Sequence, residues 1–216
     1  MRRAELFVLG IVLASFLVGI YIYPSLPERI VSHWNAAGQP DGYMDRFWGA
    51  FLMPFISAGL FLLFLAIPKI DPKRANIEKF RPYFDRFIIL LFGFLLYIYL
   101  LTLLWNLGWR FDFVQLLVPP LAAIFYYSGV LIENAKQNWF IGIRTPWTLS
   151  SENVWDSTHK LGGKLFKISG IIALLGVVLK EYAFLFILLP VLSAGFYSIV
   201  YSYLEYQKET RAKRKR

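Results

Sequence analysis

The chain has 216 residues, of which 57% are hydrophobic, 19% aromatic and only 17% charged, against about 45–50% apolar and about 25% charged in an average soluble domain. It has no cysteine, which excludes disulfides, thiol catalysis and cysteine-ligated metals. The net charge of +9 lies mostly in short segments beside apolar runs, as membrane topology requires, so direct nucleic-acid binding is not expected.

The apolar stretch Leu6 to Tyr23 follows Met1-Arg2-Arg3 and is longer than the core of a signal peptide, about 7–15 residues. Pro24-Ser-Leu-Pro27 has no small-residue cleavage pattern, so this reads as a retained first helix. Further apolar runs follow, and Phe87 to Trp105 and Phe113 to Ile132 carry no charge at all. Six segments, at about 5–23, 47–67, 84–105, 113–133, 164–180 and 182–204, approach the roughly 20 residues that cross a hydrocarbon core. The expected fold is all-α: one polytopic membrane helical bundle over 1–216, embedded in the lipid bilayer of the plasma membrane. Lys180-Glu181 is the only charged break between the last two spans and predicts a tight helical hairpin. Pro119-Pro120 and Pro190 fall inside spans, where a missing backbone donor bends a helix. Lys69 to Arg86 is basic and predicts a surface helix around Ala75 to Phe80.

Orientation follows from the cations. With the N-terminus inside, all but Arg29, Arg46, Arg110 and Lys180 of the 23 Lys and Arg residues lie on the inner side. That bias predicts both termini in the cytoplasm. Tyr21, Trp48, Trp105, Trp109 and Trp139 cluster at the span ends, where amphipathic rings favour the headgroup level.

Two connectors are long and rich in Trp, Gly, Pro, His and Asn. The outer one, 24–46, contains Pro27, able to start a short helix, and Gly38, able to end it in a left-handed cap. Asp41-Gly42 marks a turn. His33, Trp34 and Asn35 are then expected on a short amphipathic helix, either as a simple interfacial anchor or as part of a recognition surface.

The inner connector, 134–163, divides in two. Asn138 to Trp147 is expected to be a loop, with Gly142 giving backbone freedom and Pro146 blocking helix. Ser150 is the expected N-cap of a helix from about Ser151 to Lys160, with Glu152 in its first turn. Gly162-Gly163 then allow a bend. Glu152, Trp155 or Asp156, and His159 share a helix face. Glu152, Asp156 and His159 are therefore candidate ligands for a divalent metal, or an acid beside a base. The alternative is a solvated polar face. Arg144 sits in an apolar, aromatic stretch, either to bind a carboxylate, phosphate or lipid headgroup or to anchor the inner face. His33 and His159 fall on opposite sides of the membrane.

Asn138 and Gly142-Ile-Arg-Thr-Pro-Trp-Thr-Leu-Ser-Ser-Glu-x-Val-Trp-x-x-Thr-His-Lys-x-Gly-Gly163 resemble the signature of the SdpI-type immunity family. Leu26 to Asp45, with His33-Trp-Asn35, Gly38 and Asp41, is similar to a short uncharacterised domain that often precedes that signature. The resemblance implies a membrane protein that protects a bacterium from its own secreted, membrane-damaging peptide. It also implies a sensor that draws a cytoplasmic transcription repressor to the membrane. Residues to which partner binding would fall are His33, Trp34, Asn35, Gly38, Asp41, Asn138, Gly142, Arg144, Thr145, Pro146, Trp147, Ser151, Glu152, Trp155 and His159; no catalytic residue carries over. The competing expectation is a membrane metal-dependent hydrolase or peptidase built on Glu152, Asp156 and His159. A transporter ranks last, because the spans are nearly free of ionisable groups.

Overall fold

The computed structural model describes residues 1–214; the final two residues of the basic tail, Lys215 and Arg216, lie outside the described residues. Among the described residues six helices are long and apolar enough to cross a membrane: Arg3–Ser25, Arg46–Ile70, Arg81–Asn106, Phe113–Asn134, Glu152–Val178 and Lys180–Arg214. Only 22–33% of the most apolar window in each is buried. The remaining surface is exposed hydrocarbon, which has no stable place in water and is matched by acyl chains. The chain is thus a multi-pass membrane protein.

In chain order the elements are α1 (Arg3–Ile22), β1 (Arg29–Trp34), β2 (Pro40–Asp45), α2 (Arg46–Ile70), α3 (Arg74–Lys79), α4 (Arg81–Asn106), α5 (Phe113–Asn134), α6 (Pro146–Ser150), α7 (Glu152–Ala173), α8 (Leu175–Val178) and α9 (Ala183–Arg214). Pro119 and Pro120 lie inside α5 and Pro190 inside α9. The expected tight connection at Lys180-Glu181 is a single 3-10 turn, Lys180–Tyr182. The chain divides into two compact units, Met1–Ala66 with Ile88–Pro120, and Ile67–Phe87 with Leu121–Arg216.

In the first unit the connector after α1 is a β-hairpin, not the expected amphipathic helix. β1 and β2 pair antiparallel, with Ile30 opposite Met44 and Val31 opposite Tyr43, and with register shifts on either side of His33. Two forces favour the strand. Ile30 and Val31 are β-branched, and alternation sends Ile30 fully into the core while Arg29 stays exposed. The side chain of Asn106 also supplies β1 with a substitute partner strand. Its Oδ1 accepts the Val31 amide at 2.8 Å and its Nδ2 donates to the Val31 carbonyl at 2.9 Å. Under the hairpin, Leu26, Ile30, Ala50, Tyr99 and Leu103 form the core. Tyr99 donates its hydroxyl to the Ala50 carbonyl at 2.7 Å. Gly49 is required for this packing, because a methyl group there would lie 1.7 Å from Cδ1 of Ile30.

In the second unit α7 runs as one helix through Gly162-Gly163, with no break in it at that point. The two glycines serve close approach. A methyl at Gly163 would lie 2.7 Å from both the Gly129 carbonyl oxygen and Cβ of Glu133, and one at Gly162 only 2.3 Å from Cδ1 of Ile143. Gly170 repeats the device one level along, 2.6 Å from the Ala122 oxygen by the same measure. Small residues of this kind let membrane helices bring their backbones together.

Candidate functional site

The segment between α5 and α7 forms a dense polar cap. Asn138 is wholly buried and uses its full hydrogen-bonding capacity. Its Nδ2 donates to the carbonyls of Lys136 and Ile141, both at 2.8 Å, and its Oδ1 accepts the amides of Phe140 at 2.9 Å and Ile141 at 2.6 Å. One side chain thereby folds residues 136–141 into a closed loop. Beside it Gln137 donates to the carbonyls of Thr148 and Leu149 and accepts from the Lys73 ammonium. Asn76 donates to the Gln137 carbonyl at 2.8 Å, and buried Asp71 accepts the Trp139 amide at 2.9 Å. The connector that carries α3 thus braces the cap from outside its own sequence.

Thr145 and Thr148 close the next turn. Thr145 caps α6, accepting the Thr148 amide, and its hydroxyl meets Ser202 of α9 at 3.0 Å. Pro146 therefore starts a helix at a position where its missing donor costs nothing, rather than blocking one. Trp147 packs on Tyr203 with ring centroids 5.1 Å apart. The N-cap of α7 is Ser151, one residue beyond the expected Ser150; it accepts the Val154 amide and donates to Glu209 at 2.5 Å.

His159 lies at the centre, 1% exposed. Its ring stacks on Trp155 at 3.8 Å, and the Trp155 indole donates to the Ala135 carbonyl at 2.8 Å. Nε2 accepts the Ile143 amide at 3.0 Å, so Nδ1, 2.9 Å from the Trp155 carbonyl, carries the proton and donates. Gly142 passes beside Nε2 with φ +113°. A methyl there would lie 2.4 Å from Nε2, so only glycine admits this approach.

The expected metal cluster does not assemble. Both nitrogens of His159 are engaged with backbone, whereas Glu152 and Asp156 are exposed, and Asp156 lies 3.8 Å from the Lys136 ammonium. Trp155, not Asp156, shares the inward face with His159. Among the described residues no group of three His, Cys, Asp or Glu side chains is placed to hold a metal ion. Arg144 is exposed and donates to the carbonyl of half-exposed Trp139 at 2.8 Å, leaving most of its guanidinium directed outward.

The hairpin gathers the other expected residues. His33 and Asp41 meet across the strands at 2.5 Å. Asn35 accepts the amides of Ala37 and Gln39, both at 3.0 Å, and closes the turn in which Gly38 takes φ +73°. Trp34 turns away from them and stacks on Phe113 at 3.8 Å. Gly42 fits beneath His33, whose Cβ would be 2.8 Å from a methyl at that position. Asp71, Lys73, Asn76, Gln137, Thr148 and Asn106 escaped the reading of the sequence. Asn106 is a single polar residue at the end of an apolar run, the others lie in polar connectors, and nothing in their neighbours marks a long-range bond.

Comparison with known proteins places both segments. Residues 10–58 match a domain described as "Domain of unknown function (DUF1648)", and residues 134–202 match the SdpI/YfhL protein family. The chain is 30% identical over 199 residues to a protein named "Immunity protein SdpI" from Bacillus subtilis (strain 168), an alignment covering 92% of this chain and 93% of that protein. No solved structure matches.

Proposed function

The chain belongs to the SdpI family, and from that premise we propose that it is a plasma-membrane immunity protein protecting its cell from a secreted, membrane-active toxic peptide. The observation that carries this reading is the alignment with an immunity protein over nine-tenths of both chains, which takes in the hairpin and the cap together.

The two segments divide the work. Three long helices, α2, α4 and α5, separate the hairpin from the cap along the chain. If each crosses the membrane once, the segments face opposite sides. The cation bias supports the hairpin outside and the cap, with both termini, in the cytoplasm. The His33–Asp41 pair and the turn at Asn35–Gly38 then present the surface that meets the peptide. The cap presents Arg144, Trp139 and the exposed start of α7 to a cytoplasmic partner, for which a transcription repressor held at the membrane is the proposed case. Tight internal bonding in the cap suits a preformed docking surface, since little ordering is left for the moment of binding.

The test is to express the chain in a Bacillus subtilis strain lacking its own immunity protein and add the toxic peptide. Survival restored to the level of the native immunity protein is expected. Unchanged killing, with the chain present in the membrane, contradicts the proposal.

A further inference from the structure

In the second unit the outward stripe of α7 changes character in a fixed order. Asp156, Lys160, Lys164, Lys167 and Ile171 follow at three- and four-residue spacing and share one face. Two of these charges are matched. Lys167 donates to Glu133 of α5 at 2.6 Å, and Asp156 lies 3.8 Å from the Lys136 ammonium. Lys160 and Lys164, exposed between those pairs, have no ion-pair partner among the described residues. Past Lys167 the stripe turns to exposed Ile168 and Ile171, and no charge follows until Lys180. Depth makes the two unmatched ammonium groups unusual. From the turn at Lys180, twenty residues at about 1.5 Å each lead back to Lys160, about the 30 Å of a hydrocarbon core. Lys164 then lies about one turn inside that thickness. The antiparallel α9 marks the same level: a methyl at Gly162 would lie 3.1 Å from Oγ of Ser198, and Ser151 bonds Glu209. That register sets Phe196 level with Lys164 and Leu192 level with Ile168, and these two side chains are 72% and 62% exposed. Exposed hydrocarbon at that depth belongs in lipid. A cation there extends its stem towards the headgroups and needs an anion.

We propose that Lys160 and Lys164 together hold the phosphate of one anionic glycerophospholipid in the leaflet nearest the cap, its acyl chains lying along α7 over Ile168 and Ile171. Successive turns set the two stems about 5–6 Å apart, so both ammonium groups can close on a single phosphodiester. The flanking ion pairs define the site. Glu133 neutralises the deepest lysine and Asp156 faces the lysine nearer the cap, which leaves two cations with one gap between the pairs. A choline headgroup would bring a further cation to that gap, whereas an anionic headgroup brings none. The ligand is a lipid rather than a dissolved anion because the stripe passes directly from ammonium to exposed aliphatic surface. Basic sites beside membrane helices take anionic headgroups for the same reason. Since α7 also carries Trp155 and His159 into the cap, the bound lipid sets the depth at which the cap sits. This inference rests on the membrane embedding and not on the immunity reading.

The experiment places the full chain in nanodiscs of equal parts phosphatidylglycerol and phosphatidylcholine with identical acyl chains, and native mass spectrometry counts the lipid retained on release. Phosphatidylglycerol should be retained over phosphatidylcholine by about thirtyfold, equivalent to about 2 kcal/mol for two lysines beside an anionic headgroup. Lys160→Gln combined with Lys164→Gln should bring the two lipids near parity. Lys208→Gln combined with Arg211→Gln, which removes the same charge from the end of α9, should leave the preference in place. Photoactivatable phosphatidylglycerol on the unaltered chain should attach to peptides spanning 160–171, a readout that stands whether or not the variants fold. Equal retention of the two lipids by the unaltered chain overturns the proposal, and so does an equal loss in both double variants, which would reduce the preference to diffuse charge. Attachment confined to the end of α9 contradicts it as well. Release of the lipid by millimolar glycerophosphoglycerol would make the ligand a dissolved anion and would also overturn it.

Discussion

Gly142 and His159 are fitted to one another: the glycine crosses the imidazole so closely that a methyl group would stand 2.4 Å from Nε2, the nitrogen that accepts the next residue's amide at 3.0 Å. Gly142→Ala meets a steric clash and a positive φ together. Backbone strain alone is worth about 1–3 kcal/mol, so the variant should lose at least about 2 kcal/mol of stability, read as a lowered unfolding midpoint in detergent. Wild-type stability would mean that the ring and the loop do not meet as described.

His159 acts through a neutral ring with its proton on Nδ1. Imidazole 15N spectra at neutral pH should show that single tautomer. Protonating Nε2 removes the acceptor of the Ile143 amide, so the cap should loosen whenever the ring is forced to carry charge. His159→Ala leaves that amide unpaired, with an expected loss of about 1–3 kcal/mol. Combined with Gly142→Ala it should cost less than the two separate losses added, because the clash disappears with the ring.

Asn138 cannot be replaced by a close isostere. Asn138→Asp keeps an acceptor for Phe140 and Ile141 but sets a carboxylate oxygen against the carbonyls of Lys136 and Ile141, where Nδ2 now donates. Both Asn138→Asp and Asn138→Ala should destabilise the cap by more than about 2 kcal/mol. Limited proteolysis should then cut between residues 134 and 151, while the wild-type protein stays intact there.

On the hairpin, Asn106 stands in for a neighbouring strand. Asn106→Leu keeps the bulk and removes both bonds to Val31. Amide exchange at Val31 should quicken by about tenfold, equivalent to about 1.4 kcal/mol, with little change in α9. Unchanged exchange at Val31 would show that the strand edge is held by something else.

What was legible in the sequence follows physical range. The six long helices are written in long, mainly apolar runs, a signal that needs no tertiary information. The surface helix near Arg74–Lys79 and the prolines inside α5 and α9 were also readable locally. The hairpin was misread as a helix because Pro27 and Gly38 suit either structure. Besides the β-branched pair Ile30-Val31, the strand is supported by Asn106, 75 residues away. Gly162-Gly163 looked like a hinge because a glycine that admits a neighbouring backbone and one that permits a bend are the same residue on paper. For the candidate site, the residues of the signature were found but not their roles. Asp156 seemed the partner of His159 by spacing, while packing selected Trp155. The braces from Asp71, Lys73 and Asn76 were out of reach because in a polar connector they read as solvated side chains, and their partners lie more than 60 residues away.

The central claim is that the hairpin and the cap serve opposite faces of one membrane, the hairpin outside. Because the chain has no cysteine, single thiols can be placed at exposed Ala37 in the hairpin turn and exposed Asn153 at the start of α7 and challenged with a membrane-impermeant maleimide in intact cells. Labelling of Ala37→Cys in intact cells, with Asn153→Cys labelled only after the membrane is permeabilised, is the predicted result. Labelling of both in intact cells, or of Asn153→Cys alone, would contradict it.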